Sequence, residues 1–279
     1  MGGWRSRPLL LALGIAALFV GFVVARFPYE RLLPAAETAA TNALGARVEI
    51  GSLGLGLGWG GPEAVAEALQ LRWPGDDALQ IERVGVRPAW ALAWLEGRPR
   101  WHVAAAGPPG RFAGQVAPDR VDGAFDAVDV AALPWAAFGG SPPLRGRLSG
   151  VADLTLEDGA WQGFADMTSE NGSIDYAGLP VAIPYAHLAA RIELGPSQLT
   201  LPAARLEGPL ITARFSGAAT PGPGEPADWP LDLLVEVEGV DPALRSYLVP
   251  LGIRLDREGQ ASLRVSGTLA APIVSASGG

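Results

Sequence analysis

The sequence predicts a mainly β protein, in which an N-terminal transmembrane helix is followed by an elongated, curved antiparallel β-sheet or sandwich with one or two short helices. Three observations lead to this prediction. Residues 9–25 form an unbroken apolar run. Beyond it, long segments alternate apolar and polar residues with a period of two, as half-buried strands do. Short stretches rich in glycine and proline separate these segments and are typical of turns.

The apolar run is long enough for a membrane anchor. Its 17 residues would form a helix of roughly 25 Å, the lower end of what a bilayer core requires. Two arginines precede the run and all acidic residues follow it, so we expect a single-pass membrane protein with a cytoplasmic N-terminus and the rest of the chain on the far side of the membrane. A cleaved signal peptide is the alternative, since Val23 and Ala25 resemble a cleavage site. The chain thus divides into a cytoplasmic stub and anchor, 1–26, and a periplasmic β-rich domain, 27–279.

The clearest predicted strand covers Leu144–Glu157. Its even positions carry leucine, glycine and alanine, whereas its odd positions carry polar residues with the one exception of Val151. The same alternation recurs at residues 188–194, 211–216, 231–238 and 261–266. Sheets with one apolar and one polar face are typically antiparallel. We expect Gly146 and Gly150 to let the longest strand bend.

The connections between the strands are predicted to be short. Turn residues occur at 157–159, at Asn171-Gly172, at 194–196 and at 207–209. Residues 220–230 contain four prolines and two glycines, and form either a linker or a long loop between strands.

Two short helices are predicted in addition to the anchor. The first covers residues 28–44 and ends at Gly45, a residue that favours the left-handed conformation after a helix. The second lies around residues 88–95. Its Trp90 and Trp94 are four residues apart, which predicts core packing or an aromatic face against lipid or a partner.

The predicted sheet has an apolar face that needs a cover, and the sequence offers few helices to supply one. The apolar face must therefore curl on itself, pack against a second sheet or be covered by a ligand.

Charge and composition argue against several function classes. After residue 25, 19 arginines stand against 29 acidic residues, a net charge of −10. Nucleic acid needs a basic surface to meet its phosphates, so we expect no nucleic-acid partner. The same charge argues against docking on anionic headgroups by electrostatics alone. The chain has no cysteine, and therefore neither a disulfide nor a thiolate metal site.

The motifs that could carry chemistry lack the necessary context. Gly56, Gly58 and Gly61 match the spacing of a dinucleotide-binding loop, but no strand–helix series follows them. A strand that another backbone approaches closely is the simpler interpretation. His102 and His187 each stand alone in strand-like segments, without the spacing of zinc ligands.

The remaining acidic residues do not form a recognisable site either. Asp122, Asp126 and Asp129 are scattered along a strand-like segment and lack the spacing of a calcium loop. No nucleophile elbow or phosphate-binding loop is present. We therefore expect a protein that is not an enzyme, with no catalytic residues, no cofactor and no metal.

Four short segments resemble a known family. They are residues 27–31 (FPYER), 45–53 (GARVEIGSL), 97–99 (GRP) and 265–274 (VSGTLAAPIV). With these segments in this order, the chain resembles type II secretion system protein N (GspN), within the broader AsmA/TamB-like group of membrane-anchored periplasmic proteins. The resemblance implies an AsmA-like fold and supplies no catalytic residues.

The resemblance implies two alternative functions. The first is an inner-membrane-anchored protein of the type II secretion system that acts through structural contacts with other secretion components. The alternative is lipid binding or transfer, since AsmA-like relatives are thought to hold acyl chains of phospholipid in an apolar β-groove. Ten residues would line such a groove: Leu148, Leu154, Leu156, Leu188, Ile192, Leu194, Leu231, Leu233, Val235 and Val237.

Overall fold

The computed structural model describes residues 28–58, 61–73, 78–89, 97, 99–134, 144–175, 182–222, 228–242, 244, 255–268 and 271–276. The fold is mainly β, with 70% of the described residues in strands. Within this part of the chain, fourteen strands form one antiparallel sheet, in which strands next to each other in the sequence are paired. The prediction of a mainly β, antiparallel fold is confirmed, and a single sheet replaces the alternative of a sandwich.

The strands are β1 (Arg47–Gly58), β2 (Gly61–Arg72), β3 (Ala78–Pro88), β4 (Trp101–Gly107), β5 (Gly110–Ala117), β6 (Arg120–Asp129), β7 (Leu144–Glu157), β8 (Ala160–Ile174), β9 (Ile183–Leu194), β10 (Leu199–Glu207), β11 (Ile211–Ala219), β12 (Pro230–Val240), β13 (Ala261–Thr268) and β14 (Pro272–Ala276). A 3-10 helix (Tyr29–Leu32) leads into helix α1 (Leu33–Leu44), and a second 3-10 helix (Val130–Ala132) follows β6. The bounds of β7 are those that the alternation predicts.

Helix α1 confirms the first predicted helix and packs along β1. It ends at Gly45, whose φ of 62° is left-handed. Two of its side chains accept hydrogen bonds from the backbone of β1: Thr41 Oγ1 from the N–H of Val48 at 3.1 Å, and Glu37 Oε1 from the N–H of Ile50 at 2.9 Å. The helix therefore occupies part of an edge that would otherwise offer free backbone groups to another strand.

The two ends of the sheet differ in their connections. Because the strands run alternately up and down, the β5–β6, β7–β8 and β9–β10 turns lie at one end, which we call the turn end. At the opposite end lie the junction of α1 with β1, the 3-10 helix between β6 and β7, and Leu244 between β12 and β13. We call this the helical end.

The register of the strands places apolar residues on one face from β3 to β14. A single row of cross-strand neighbours near the turn end shows this: Pro88, Trp101, Val116, Val121, Leu154, Gly163, Leu194, Leu199, Ala219, Leu231, Gly267 and Pro272. We call this side of the sheet the apolar face. The other side, the charged face, carries most of the ion pairs between strands, such as that between Arg191 and Asp166.

One local prediction is wrong. Asn171-Gly172 is not a turn but lies inside β8, where Asn171 has a φ of 54° and the pairing with β7 slips between Arg145 and Arg147. This irregularity is a β-bulge, which turn-forming residues also favour. The second predicted helix, around residues 88–95, lies almost wholly outside the described residues: Pro88 is the last residue of β3, and residues 90–96, with both tryptophans, are not among those described.

Two ambiguous segments are resolved by strand pairing. Gly58 and Gly61 face each other across the β1–β2 hairpin, so the glycine motif lies in an antiparallel pair rather than before a helix. Thr220 donates a backbone hydrogen bond of 3.0 Å to the carbonyl of Pro230, which joins two paired strands. The strands on either side of residues 220–230 therefore belong to one sheet.

The predicted membrane anchor lies outside the described residues, which begin at residue 28. Among the helices that the structure does describe, none has the length and apolar character needed to cross a bilayer.

Candidate apolar binding face

The ten residues predicted to line a groove all lie on the apolar face. They come from β7, β9 and β12, and the strands between them add further apolar residues to the same surface. Eight of the ten are half-buried, Leu156 is 36% exposed and Val237 is 5% exposed. A continuous aliphatic surface that remains partly exposed in a monomer is a candidate binding site.

The apolar face has little cover from the rest of the described structure. Each strand packs mainly against its neighbours in the sheet, α1 packs against β1, and the second 3-10 helix packs against β7. The fourteen strands form one sheet, so no second sheet of the described chain lies opposite the apolar face. Half-buried leucines in the central strands follow directly from this arrangement.

Burial on the apolar face is concentrated towards the helical end. The buried residues there are Val130, Ser169, Tyr185, Ala204, Leu206, Ala213, Val237, Val240, Leu244 and Leu263, whereas Ala219 is buried near the turn end. Val130 and Leu244 come from the connections at this end and are each 2% exposed. Leu244 packs with Val237 and Val240 in one core cluster. Residues of both connections are therefore buried at the helical end.

A buried tyrosine joins three strands at the same end. Tyr185 in β9 and Ser169 in β8 are each 2% exposed, and their side-chain oxygens are 2.8 Å apart. The phenol of Tyr185 also donates to the carbonyl oxygen of Arg145 in β7 at 3.2 Å. Because the phenol has one proton, the serine hydroxyl is the donor of the other bond.

Two glycines make this crossing possible. A Cβ at Gly172 would overlap the Tyr185 hydroxyl, and a Cβ at Gly146 would lie 2.6 Å from it. Both glycines sit where β7 and β8 slip in register, which lets the two backbones accommodate the ring. Sequence reasoning missed this cluster, since the only local signals were glycines that also indicate turns.

Within the part of the chain that the structure describes, the apolar face is more exposed at the turn end. Among the described residues of this face, the exposed large apolar ones are Leu156 at 36% and Trp161 at 38%, and both lie in the turn-end half of their strands. Leu156 and Trp161 are direct cross-strand neighbours beside the β7–β8 turn. An amphipathic indole beside an open apolar surface suits contact with lipid or another apolar ligand.

The charged face is stabilised by ion pairs rather than by apolar packing. Arg264 makes two short hydrogen bonds to Asp232, which lower the pKa of that carboxyl. A hydrogen bond to Glu193 and the charge of Asp166 raise the pKa of Arg191. These groups are exposed, so each pair adds little to stability on its own.

A shallow depression on the charged face is the main competing site. Its volume is about 760 Å³, and residues from β7 to β12 line it. Its arginines already have acidic partners: Arg205 pairs with Glu207 and Glu238, and Arg214 also pairs with Glu238. The depression thus offers no free cationic group to an anionic ligand, and the apolar face remains the stronger candidate.

The other sequence candidates occupy ordinary positions in the sheet. His187 lies 2.6 Å from Glu170 on the neighbouring strand, and His102 lies in β4. Asp126 pairs with Arg111, while Asp129 accepts a hydrogen bond from the backbone of Ala131. Within the described part of the chain, no group of three histidine or acidic residues is arranged to hold a metal ion.

Comparisons with known proteins found no relative: no family model, no curated protein and no solved structure matches this chain. The resemblance to the type II secretion family therefore remains a prediction from short segments.

Proposed function

We propose that this protein binds the acyl chains of membrane lipids on the apolar face of its sheet, anchored in the bacterial inner membrane with the sheet in the periplasm. The observation that carries the proposal is the row of apolar residues from β3 to β14, half-exposed in the central strands and without a covering layer among the described residues. An elongated, curved sheet of the AsmA-like kind would present this row as a groove.

The chemistry of the apolar face favours acyl chains. The ten residues singled out on it are leucine, isoleucine and valine, which offer dispersion contacts and no hydrogen bonds. Covering such a surface is favourable by about 25 cal/mol for each Å² removed from water. The acidic balance of the chain favours an uncharged contact over electrostatic attraction to anionic headgroups.

Native mass spectrometry of the full chain, released from nanodiscs, would test this function. We expect bound phospholipid on the wild-type protein and its loss in Leu154→Asp and Leu233→Asp, which place a charge on the apolar face. Val151→Asp is the matched control, because Val151 is 46% exposed and lies on the charged face of the same strand as Leu154. Equal lipid retention by folded Leu154→Asp and Val151→Asp proteins would contradict lipid binding on this face.

The second candidate is a structural role in type II secretion. The segments that resemble GspN and the predicted single anchor support it. Deleting the gene and measuring secreted enzymes in the medium tests this role, and unchanged secretion would count against it. Complementation with Leu154→Asp separates the two functions, because a contact made by the charged face alone should survive this change.

A further inference from the structure

The two ends of the apolar face differ in burial, and this difference indicates from which end a lipid would enter the proposed site. At the helical end, Tyr185 and Ser169 form a buried bridge across three strands, and Val130 and Leu244 fill the space beside the sheet. At the turn end, Leu156 and Trp161 leave more than a third of their surface exposed. Among the described residues, the apolar face is therefore more exposed at the turn end than at the helical end.

The path of α1 places the preceding chain towards the open end. Thr41 contacts Val48, whereas Glu37, one turn earlier in the helix, contacts Ile50, further along β1. The helix thus runs antiparallel to β1, with its first residues nearer the turn end. A membrane anchor before residue 28, as the sequence predicts, would join the domain from that side.

We propose that diacyl phospholipid enters the apolar face from the turn end, past Leu156 and Trp161, and that its acyl chains stop at the bridge between Tyr185 and Ser169. This inference rests on the proposed lipid-binding function and adds the direction of loading. The occupant is a bilayer lipid, because the expected anchor and the open end lie on the same side of the domain.

The distance between the two ends fits this occupant. From Leu156 to Leu148, the neighbour of Ser169, the strand covers about 26 Å at the usual rise of β structure. One acyl chain spans about half of a bilayer core, roughly 15 Å. The aliphatic strip is therefore long enough for an acyl chain to lie between the exposed indole and the buried hydroxyls.

The absence of cysteine allows a direct test with single labels in the full chain. Leu156→Cys reports on the turn end, Ala165→Cys on the middle of the apolar face, and Ile183→Cys on the region beyond Tyr185. Thr155→Cys, on the opposite face beside Leu156, is the matched control. Each variant carries an environment-sensitive fluorophore and is reconstituted with phosphatidylcholine that bears a spin-label quencher on its acyl chain.

We expect the labels at positions 156 and 165 to lose most of their fluorescence, and those at 155 and 183 to keep it. Quenching at 183 equal to that at 156 would contradict the proposal that the acyl chains stop at the bridge between Tyr185 and Ser169. Quenching at 165 without quenching at 156 would overturn entrance at the turn end while leaving lipid binding intact. Quenching at 156 alone would show that the turn end touches the bilayer but that no lipid occupies the apolar face, which also overturns the proposal.

Quenching at none of the positions would contradict the lipid-binding function itself, so the two failures are distinguishable. Trp161→Asp supplies a second measurement, the rate at which the label at 165 is quenched after mixing with quencher vesicles. We expect this rate to fall about tenfold if the indole lowers the barrier to loading by about 1.4 kcal/mol. A rate unchanged in Trp161→Asp would contradict passage beside this residue.

Discussion

The side-chain oxygens of Tyr185 and Ser169 lie 2.8 Å apart, beside the bulge in the pairing of β7 with β8. Tyr185 also reaches the backbone of a third strand through the carbonyl of Arg145. The pair is buried in an otherwise apolar region, so its hydrogen bonds cannot be replaced by water without opening the sheet. It therefore both closes the helical end of the apolar face and fixes the register of β7, β8 and β9.

Tyr185→Phe should destabilise the fold because it removes both hydrogen bonds and leaves the Ser169 hydroxyl buried without its partner. We expect a loss of about 1–3 kcal/mol in the free energy of unfolding, measured by urea denaturation of the full chain. Adding Ser169→Ala should recover part of this loss, since the unpaired hydroxyl is then gone. A double variant at least as unstable as the sum of the two single variants would show that the pair is not coupled.

Because the two ends of the sheet differ in burial, we expect a leucine-to-alanine substitution to lower the free energy of unfolding by different amounts at each end. Leu206 is 2% exposed at the helical end, so Leu206→Ala should lower the free energy of unfolding by about 2–5 kcal/mol. Leu156 is 36% exposed at the turn end, and Leu156→Ala should lower the free energy of unfolding by less than about 1 kcal/mol.

Urea midpoints and slopes for the two leucine variants, measured side by side, check this comparison. The slope should remain that of the wild-type protein in both, because neither change alters the surface exposed on unfolding by much. A Leu156→Ala variant as unstable as Leu206→Ala would mean that the turn end is packed as tightly as the helical end.

Close approach of neighbouring strands explains why Gly150 lies in the middle of a long strand. A Cβ at this position would run into the carbonyl oxygen of Asp166 and would lie 2.8 Å from the ring of Phe125. We expect Gly150→Ala to lower the free energy of unfolding by about 1–3 kcal/mol, because the backbone must shift to admit the methyl group. The measurement is again the free energy of unfolding.

Gly54→Ala is the matched control for this substitution. No atom outside its immediate neighbours lies within 4 Å of the Cβ position at Gly54. The variant should be as stable as the wild-type protein or slightly more stable, because alanine restricts the unfolded chain. Similar destabilisation by both changes would indicate a general intolerance of side chains in these strands rather than a clash at Gly150.

Much of the strand pattern follows from local sequence. The alternation in Leu144–Glu157 predicts both bounds of β7, and Gly45 marks the end of α1 because a left-handed residue is needed there. The ten apolar residues lie on one face because the side-chain period of two persists from strand to strand once the register is set.

The features that distinguish the two ends depend on contacts far apart in the sequence. Tyr185 meets Arg145 across 40 residues, and no local pattern around either residue indicates this contact. Asn171-Gly172 was predicted to be a turn because bulges and turns favour the same residues. The direction of α1 along β1 depends on side-chain contacts of Thr41 and Glu37 that propensity does not encode.

The ion pair between Asp232 and Arg264 gives a prediction for pH. The hydrogen bonds from Arg264 are the main reason why the pKa of Asp232 is lower than its ordinary value. A lowered pKa in the folded state means that the pair stabilises the fold above the ordinary aspartate pKa, and that this contribution is lost as the pH falls through the lowered value. The carboxyl is exposed, so the contribution to stability is small.

Arg264→Gln should therefore raise the pKa of Asp232 towards its ordinary value, since the charge and the paired donors are removed. The measurement is the carboxyl carbon shift of Asp232 during an NMR titration of the folded protein. Arg111→Gln, which breaks the separate pair with Asp126, should leave the titration of Asp232 unchanged. The difference in stability between wild-type and Arg264→Gln proteins should shrink as the pH falls through the titration of Asp232, because a protonated carboxyl no longer attracts the guanidinium. An identical Asp232 titration in both proteins would contradict the role assigned to Arg264.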